Sequence, residues 1–249
     1  ETGQAMELVK LALAQPHLKL LGLHCHVGSQ VFGEDVYQRT IDIMAAFLAE
    51  IRDETGAVLE ELNLGGGYGV RYTDEDEAIN IPARLAELAA YLKEETERLG
   101  LPMPRVLMEP GRSIVADAGM TLYTVGSVKR IPGYKQYAAV DGGMTDNPRY
   151  ALYQSRYTVL HGSRSGNEER FDVVGRCCES GDIIQPGVEL PGDTCRGDIL
   201  AVCTTGAYNY SMASNYNRLP RPAVVMLTPD RIYEAVRRET FADLTGLDL

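Results

Sequence analysis

The stretch Val58-Leu59-Glu60-Glu61-Leu62-Asn63-Leu64-Gly65-Gly66-Gly67 decides the fold, because the pattern of a short strand runs directly into three glycines. Amphipathic helices are predicted before and after it, over residues 35–55 and 79–99, where apolar residues recur at helical spacing. Gly56 and Gly100 follow these helices in the position of C-terminal caps. The stretch therefore lies between two helices as one strand of a repeating unit.

Two more strands, over residues 18–27 and 105–109, continue the alternation in both directions. An opening helix around Leu8 and Leu11 ends before Pro16, because a helix interior excludes proline. Strands that alternate with helices of this length predict βα units around a parallel sheet, and so an α/β fold. In closed barrels of such units the chemistry collects at the C-terminal ends of the strands, and each predicted strand here ends in a polar or glycine motif.

The pattern changes beyond about Ser113, where β-branched and tyrosine-rich stretches are separated by Gly, Pro and Asp turns. We therefore predict two domains, residues 1–112 with βα units and residues 113–249 with mostly β structure. The last helix and strand elements are candidates for a return to the first domain. Strands of the second domain are predicted over residues 121–128, 136–140, 157–160 and 199–203.

The composition of the 249 residues excludes several classes of function. A formal net charge of -11 and a pI near 4.9 place repulsion between the protein and a polyanion, so nucleic acid is not an expected partner. No apolar run approaches the roughly 20 residues of a membrane helix, and the default expectation is a cytoplasmic protein. Five cysteines without C-x-x-C spacing favour reduced thiols.

The motif His24-Cys25-His26-Val27-Gly28-Ser29-Gln30 follows the first predicted strand and places its two histidines on one face, with Cys25 on the other. Such a pair can bind a metal, form a stacked aromatic surface or serve the core. The sequence shows no cluster of acidic or cysteine ligands beside it, so we predict no metal site. Stacking and a structural role stay open.

Two further motifs end the next two strands. Glycines at Gly65, Gly66 and Gly67 let backbone N–H groups approach an anion, usually phosphate, although a tight turn without a ligand has the same pattern. In Met108-Glu109-Pro110-Gly111-Arg112-Ser113 a carboxylate ends an apolar strand and needs a partner, for which Arg112 is near in sequence. Either the two form a structural pair, or Glu109 meets a protonated ring nitrogen and Arg112 an anionic group.

The β half carries three more motifs. In Arg176-Cys177-Cys178-Glu179-Ser180-Gly181-Asp182 a thiol stands beside carboxylates, which favour its protonated form and suit it to donating a proton; a simple loop is the alternative. Tyrosine and asparagine are dense in the other two, where they can pack on a β surface or bind a phosphate or carboxylate. These motifs are Asp146-Asn147-Pro148-Arg149-Tyr150-Ala151-Leu152-Tyr153 and the stretch over residues 206–217.

In their order along nearly the whole chain, these motifs resemble the fold-type III pyridoxal-phosphate decarboxylases, in particular the diaminopimelate decarboxylases. The landmarks are H-x-H-x-G-S-Q, G-G-G, E-P-G-R, R-x-A-L-Y, C-E-S-G-D and A-Y-x-Y-S-M-A-S-N-Y-N-x-x-P-R-P. The resemblance implies the last units of a (β/α)8 barrel like that of alanine racemase, followed by the β-rich domain. It also implies pyridoxal 5'-phosphate as cofactor and the decarboxylation of meso-2,6-diaminopimelate to L-lysine, the last step of lysine biosynthesis.

The resemblance assigns roles to individual residues. His26 stacks on the cofactor ring, Glu109 pairs with its nitrogen, and Cys178 returns a proton to the substrate, so that His26 and Cys178 are the expected catalytic residues. The remaining expected cofactor contacts are Ser29, Gly65, Gly66, Gly67, Gly111, Arg112 and Tyr208, and the expected substrate contacts are Arg112, Arg149, Tyr153, Glu179 and Tyr208.

Family likeness further implies a homodimer in which Cys178 and Glu179 reach the neighbouring subunit's site. By the same likeness, the arginine and tyrosine of R-x-A-L-Y together with Glu179 favour a diacid diamine over ornithine or arginine, whose distal ends lack a carboxylate. A decarboxylase for ornithine, arginine or a carboxylated polyamine such as carboxynorspermidine is one alternative. A binding or regulatory homologue without catalysis is another.

The lysine that bonds to the cofactor in this family has no counterpart among the five lysines of the chain. Three predicted strands also stand where a closed barrel needs eight. We therefore expect the rest of the barrel and the lysine to lie in an N-terminal portion. The chain alone is expected to be poorly stable and inactive.

Overall fold

The computed structural model describes residues 3–249, which divide into two compact units. The α/β unit comprises residues 3–70 and 77–114, and the β unit comprises residues 71–76 and 115–249. No helix in the described residues is long and apolar enough to cross a membrane.

In the α/β unit three helices alternate with three short parallel strands. The sheet has the order β1-β2-β3, and its register aligns His24 with Asn63 and Asn63 with Leu107 at the C-terminal ends. The elements are α1 (Gln4–Leu13), β1 (Gly22–His24), α2 (Glu34–Thr55), β2 (Glu61–Asn63), α3 (Ile81–Arg98) and β3 (Arg105–Leu107), and α4 (Arg112–Val115) follows.

Local chemistry explains the bounds of the two long helices. Gly56 ends α2 with a left-handed φ of 74°, which glycine adopts without strain, as the sequence predicts. Asn80 begins α3 by accepting a hydrogen bond from the backbone of Ala83. The buried faces of the helices pack with the strands into one apolar core, whose most buried members include Tyr37, Ile41, Ile51, Leu62 and Leu92.

The first helix is present as predicted and ends at Leu13, before Pro16, and the structure adds which of its residues are buried. Leu8 and Leu11 are exposed, whereas Met6 and Val9 carry its buried face. The reason is that α1 ends at Leu13 and buries a single narrow stripe, and helical spacing places Met6 and Val9, three residues apart, on that stripe.

The strands of the parallel sheet are shorter than predicted, at three residues each. Ladder-like backbone hydrogen bonds nevertheless continue beyond them, from Cys25 N–H to the Asn63 carbonyl (3.0 Å) and from Glu109 N–H to the Gly65 carbonyl (2.8 Å). The backbones that carry the candidate motifs are therefore held together just past the strand ends.

The β unit is a six-stranded sheet with a separate two-stranded ribbon. The sheet order is β6-β9-β4-β5-β7-β8, antiparallel except for the parallel β5–β7 pair. Four of its strands correspond to predicted ones, whereas β7, β8 and both ribbon strands were not predicted. The elements are β4 (Met120–Ile131), β5 (Lys135–Val140), α5 (Arg149–Tyr153), β6 (Val159–His161), β7 (Glu168–Val174), β8 (Ile183–Pro191), β9 (Ile199–Cys203), the ribbon β10 (Val224–Leu227) and β11 (Ile232–Val236), and α6 (Phe241–Thr245).

Candidate functional site

At the C-terminal edge of the parallel sheet, the carboxylate of Glu109, which follows β3, lies beside side chains at the ends of β1 and β2. Glu109 Oε1 accepts a hydrogen bond from Asn63 Nδ2 at 2.9 Å and lies 3.4 Å from His24 Nε2. Glu109 Oε2 makes no hydrogen bond within residues 3–249. The side chains of His24 and Glu109 are each about half exposed, so this second oxygen is available as an acceptor at the surface of the unit.

Of the two interpretations that the sequence leaves open for Glu109 and Arg112, the structural pair is not formed. Arg112 is buried, at 8% exposure, and its Nη2 donates instead to Ser29 Oγ at 2.9 Å. Glu109 does not need that arginine, because it is partly hydrated and has Asn63 as a donor. Ser29 and Arg112, distant in sequence, thus meet in the structure, and their roles as cofactor contacts stay a prediction.

Steric contacts in the structure explain why positions 65, 66 and 67 are glycine, which the sequence alone does not explain. A Cβ at Gly66 would overlap the carbonyl oxygen of Glu109, and a Cβ at Gly67 would overlap that of Gly28. Gly65 and Gly67 also adopt φ values of 68° and 93°. The glycines therefore allow the three strand ends to approach each other closely.

Their backbone N–H groups are not all available to an anion. Gly65 N–H donates to Asn63 Oδ1 at 2.8 Å, and Gly66 N–H donates to His26 Nδ1 at 3.3 Å. Gly67 N–H makes no hydrogen bond within the described part of the chain. The contact with Gly66 also orients the exposed His26 ring.

Replacing Gly66 with alanine is expected to lower the free energy of unfolding by about 1–3 kcal/mol, because the new methyl group meets a backbone oxygen that cannot move without displacing Glu109. Urea denaturation measures the change. Gly166→Ala is the matched control, since its Cβ meets nothing within 4 Å and its φ is not left-handed. Equal effects of the two substitutions would contradict the steric explanation.

The β unit gathers the remaining candidates in three loops, residues 141–153, 175–182 and 204–218, which we call the three-loop cluster. Arg176 N–H donates to the Gly142 carbonyl at 3.1 Å and links the first two loops. Ser214 N–H donates to the Thr145 carbonyl at 2.8 Å and links the first and third. The motifs that bear Arg149, Cys178 and Tyr208 are thus neighbours in space although they are far apart in sequence.

Arg149 is the most unusual side chain of this cluster. It is 7% exposed, and its guanidinium carbon lies 5.3 Å from the Tyr153 ring centre and 5.5 Å from that of Tyr208. Its Nη2 donates weakly to Ser155 Oγ at 3.4 Å, whereas its Nε has no hydrogen-bond partner. No Asp or Glu of residues 3–249 lies within ion-pair distance, so a buried cation stands without an anion.

The adjacent cysteines differ in their surroundings. Cys178 is exposed, and its N–H donates to Asn217 Oδ1 at 2.8 Å. Burial and the nearby Asp182 raise the pKa of the Cys177 thiol. Glu179 is exposed and accepts from the Tyr216 hydroxyl at 3.5 Å and from Ser180 Oγ at 3.2 Å. The Cys178 thiol and the Glu179 carboxylate are therefore both accessible to solvent, whereas Cys177 is the inner cysteine of this loop.

Several contacts around Glu109 and Cys178 are not predicted from the sequence. His24 and Asn63 hold Glu109, and Asn217 holds the backbone of Cys178. The signal for Asn63 is its place at a strand end, in register with His24. Asn217 has a left-handed φ of 55°, which asparagine tolerates but which the sequence does not announce.

A separate cleft of about 890 Å³ lies in the β unit and contains none of the predicted site residues. Side chains of both charges line it and already meet one another, as in the 2.5 Å pair of Lys135 with Asp172. It is not the candidate site. Its lining includes Arg130, Tyr134, Lys135, Gln136, Glu169 and Arg170.

Comparison with known proteins decides the family. Residues 1–116 match the family described as "Pyridoxal-dependent decarboxylase, pyridoxal binding domain". Diaminopimelate decarboxylase of Bacillus subtilis is 45% identical over 249 residues, which cover 99% of this chain and 56% of the relative. The Staphylococcus aureus enzyme of the same name is 42% identical over 97% of the chain and 57% of the relative.

Through residues 1–116 the chain belongs to the pyridoxal-dependent decarboxylase family.

Solved structures agree with this assignment. The crystal structure of diaminopimelate decarboxylase from M. jannaschii in complex with L-lysine superposes with a TM-score of 0.93 at 32% identity, covering the whole chain and 56% of that protein. A lysine/ornithine decarboxylase from Vibrio vulnificus complexed with cadaverine superposes over 86% of the chain with a TM-score of 0.74 at 25% identity. The expected fold class, βα units of a decarboxylase barrel followed by a β-rich part, is confirmed.

This member of the family spans a little over half the length of the curated relatives it matches. Its residues fit the family's cofactor. Glu109 has one carboxylate oxygen without a hydrogen bond, which can accept from a protonated ring nitrogen. The His26 ring is exposed and held in orientation by Gly66. The Gly67 N–H makes no hydrogen bond within the described residues. Within the β unit, Arg149 is a buried cation without an ion-pair partner among the described residues.

Proposed function

We propose that the native polypeptide containing this chain catalyses the pyridoxal-phosphate-dependent decarboxylation of meso-2,6-diaminopimelate to L-lysine. Membership of the family supports the reaction class, and the names of the relatives support this substrate. The observation that carries the proposal within the structure is the buried Arg149, a cation without an anion, because a dicarboxylate supplies the missing partner.

The α/β unit would hold the cofactor. Glu109 would accept a hydrogen bond from the pyridine nitrogen through Oε2, while Asn63 and His24 keep Oε1 in place. His26 would stack on the ring. The phosphate would take the Gly67 N–H and the Ser29 hydroxyl, with Gly65, Gly66, Gly111 and Arg112 shaping its surroundings. Once bound, the cofactor withdraws electrons from the substrate carbon that loses carbon dioxide.

The β unit would recognise the substrate's distal end. The Arg149 guanidinium, which lies against the Tyr153 and Tyr208 rings, presents donors to a carboxylate in a fixed orientation. Glu179 would meet the distal ammonium group, and Cys178 Sγ would deliver a proton to the carbon that lost carbon dioxide. Both residues are exposed, which fits the proposal that they serve a neighbouring subunit in a homodimer. A cytoplasmic location accords with this biosynthetic role and stays a prediction.

The test supplies the purified native polypeptide and pyridoxal phosphate with meso-diaminopimelate, and in parallel with ornithine, arginine or carboxynorspermidine. Carbon dioxide release and the amine product are measured. We expect L-lysine from diaminopimelate at a far higher kcat/KM than any product from the others. A preference for ornithine or another amine would support a related decarboxylase instead. Tight cofactor binding without turnover would support a regulatory homologue.

A further inference from the structure

We propose that Asp182 is a positioning residue that couples the loop bearing Arg149 and Tyr153 to the loop bearing Cys178 and Glu179. The inference rests on the proposed function, which gives these loops their roles in substrate recognition and proton delivery. Asp182 touches neither substrate nor reacting atoms in this scheme. It acts on both loops through their backbones.

One carboxylate joins the two loops directly. Asp182 Oδ1 accepts a hydrogen bond from Met144 N–H at 2.6 Å, and Oδ2 accepts one from Cys177 N–H at 2.6 Å. Its own backbone closes the second loop, since Asp182 N–H donates to the Glu179 carbonyl at 3.1 Å. Each oxygen thus holds a different loop, and the two positions cannot shift independently without breaking a charge-assisted hydrogen bond.

The Asp182 carboxylate is closely surrounded by backbone, with a glycine on each of two sides. Asp182 is 4% exposed, and a Cβ at Gly143 would lie 2.6 Å from its Oδ1. A Cβ at Gly175 would overlap both carboxylate oxygens. Glycine therefore stands on two sides, one in each connected segment, where any other residue would push the loops apart.

Burying a carboxylate costs free energy, so a carboxylate at position 182 is favoured only if its charge or its acceptor geometry is needed. No basic side chain of the described residues pairs with Asp182, and a second carboxylate, the partly buried Asp146, lies nearby; its pKa is raised mainly by desolvation and to a smaller extent by the charge of Asp182. A neutral apolar residue would avoid this repulsion. Since no compensating ion pair exists, the acceptor role toward both loops is what the carboxylate supplies.

The coupling reaches the functional side chains over short stretches of chain. Met144 precedes Arg149 by five residues, within a segment folded on itself by the Asn147 N–H bond to the Gly143 carbonyl at 2.9 Å. Cys177 is the direct neighbour of Cys178. A disturbance at Asp182 is therefore expected at both the carboxylate-binding and the proton-delivering loop.

The substitution Asp182→Asn tests the coupling in the native polypeptide containing the chain. Asparagine keeps the shape but turns one acceptor into a donor that faces a backbone N–H, so one loop is released. We expect kcat to fall and KM for diaminopimelate to rise in the same variant, each by about tenfold. A residue with a role in only one loop would change one constant. Asp230→Asn, at an exposed turn, is the matched control.

A second readout does not depend on activity. Iodoacetamide alkylation, followed by mass spectrometry of the peptides, compares Cys178 with Cys195, an exposed thiol outside the cluster that serves as internal reference. We expect Asp182→Asn to increase the rate at Cys178 severalfold and to leave Cys195 unchanged. Gly175→Ala, which keeps the carboxylate but crowds it, should act in the same direction.

Hydrogen exchange in the unsubstituted protein tests the same contacts without any variant, since the Met144 and Cys177 amides should be protected. Exchange at both amides as fast as in an open turn would overturn the proposal. So would a folded Asp182→Asn protein with unchanged kinetics and unchanged Cys178 alkylation. If the parent protein does not act on diaminopimelate, the proposed function fails, and the alkylation and exchange results still decide the case of Asp182.

Discussion

Replacing Cys178 with alanine is expected to lower kcat for decarboxylation by about 10²–10⁴ and to leave KM nearly unchanged. The thiol is exposed on a loop that carries no other exposed thiol, and its backbone is fixed by Asn217. Proton delivery by a placed acid has this range of effect, and a side chain that does not bind the substrate should not alter KM. Steady-state kinetics of the native polypeptide containing the chain measure both constants.

Two neighbouring or similar thiols make this experiment specific. Cys195→Ala removes an equally exposed thiol from the β8–β9 turn and should not change kcat. Cys177→Ala removes the inner thiol, whose pKa is raised by burial, and should have a small effect. A kcat for Cys178→Ala close to that of the parent would show that another group, or water, returns the proton.

How far the sequence predicts this molecule depends on the range of the interactions involved. Helical spacing and a glycine after the last turn fix α2 locally, so its end at Thr55 is predicted correctly. The strand patterns also identify β1, β2 and β3, although each is overextended. An apolar run reports burial, whereas a strand is defined by pairing with a neighbour, which the run does not contain.

The candidate site shows the same limit more sharply. The motif around Glu109 is recognisable, but the sequence leaves open whether its neighbour Arg112 is its partner, and in the structure it is not. The true partners, Asn63 and His24, come from other strands and meet Glu109 only because the parallel register aligns the strand ends. A long-range contact of this kind needs the register as well as the pattern, and single-sequence patterns do not supply it.

The isolation of Arg149 is likewise invisible in the sequence. In the sequence, Asp146 stands three residues before Arg149, a spacing that is compatible with a local ion pair. In the structure Asp146 instead accepts from the Tyr123 hydroxyl and from Gly143 N–H. Only the packing shows that the arginine is buried between aromatic rings without an acid.

Because Arg149 has no acidic partner, replacing it should have opposite effects on ligand binding and on the stability of the ligand-free protein. Replacing Arg149 with methionine is expected to weaken diaminopimelate binding on the order of 100-fold, about 3 kcal/mol, because the buried carboxylate–guanidinium contact is lost. The same change is expected to stabilise the ligand-free protein by about 1 kcal/mol. An unpaired buried cation loses more by dehydration than two cation–π contacts and one weak hydrogen bond return.

Calorimetry and thermal unfolding of the native polypeptide separate the two effects. Diaminopimelate and cadaverine are compared as ligands, since cadaverine carries no carboxylate and its binding should hardly change in Arg149→Met. Arg149→Lys is the matched control, because it keeps the charge but not the planar fork, and should weaken binding without a gain in stability. If Arg149→Met lowered the unfolding temperature of the ligand-free protein and left the preference for diaminopimelate intact, Arg149 would be a structural residue. The distal carboxylate would then have to bind elsewhere.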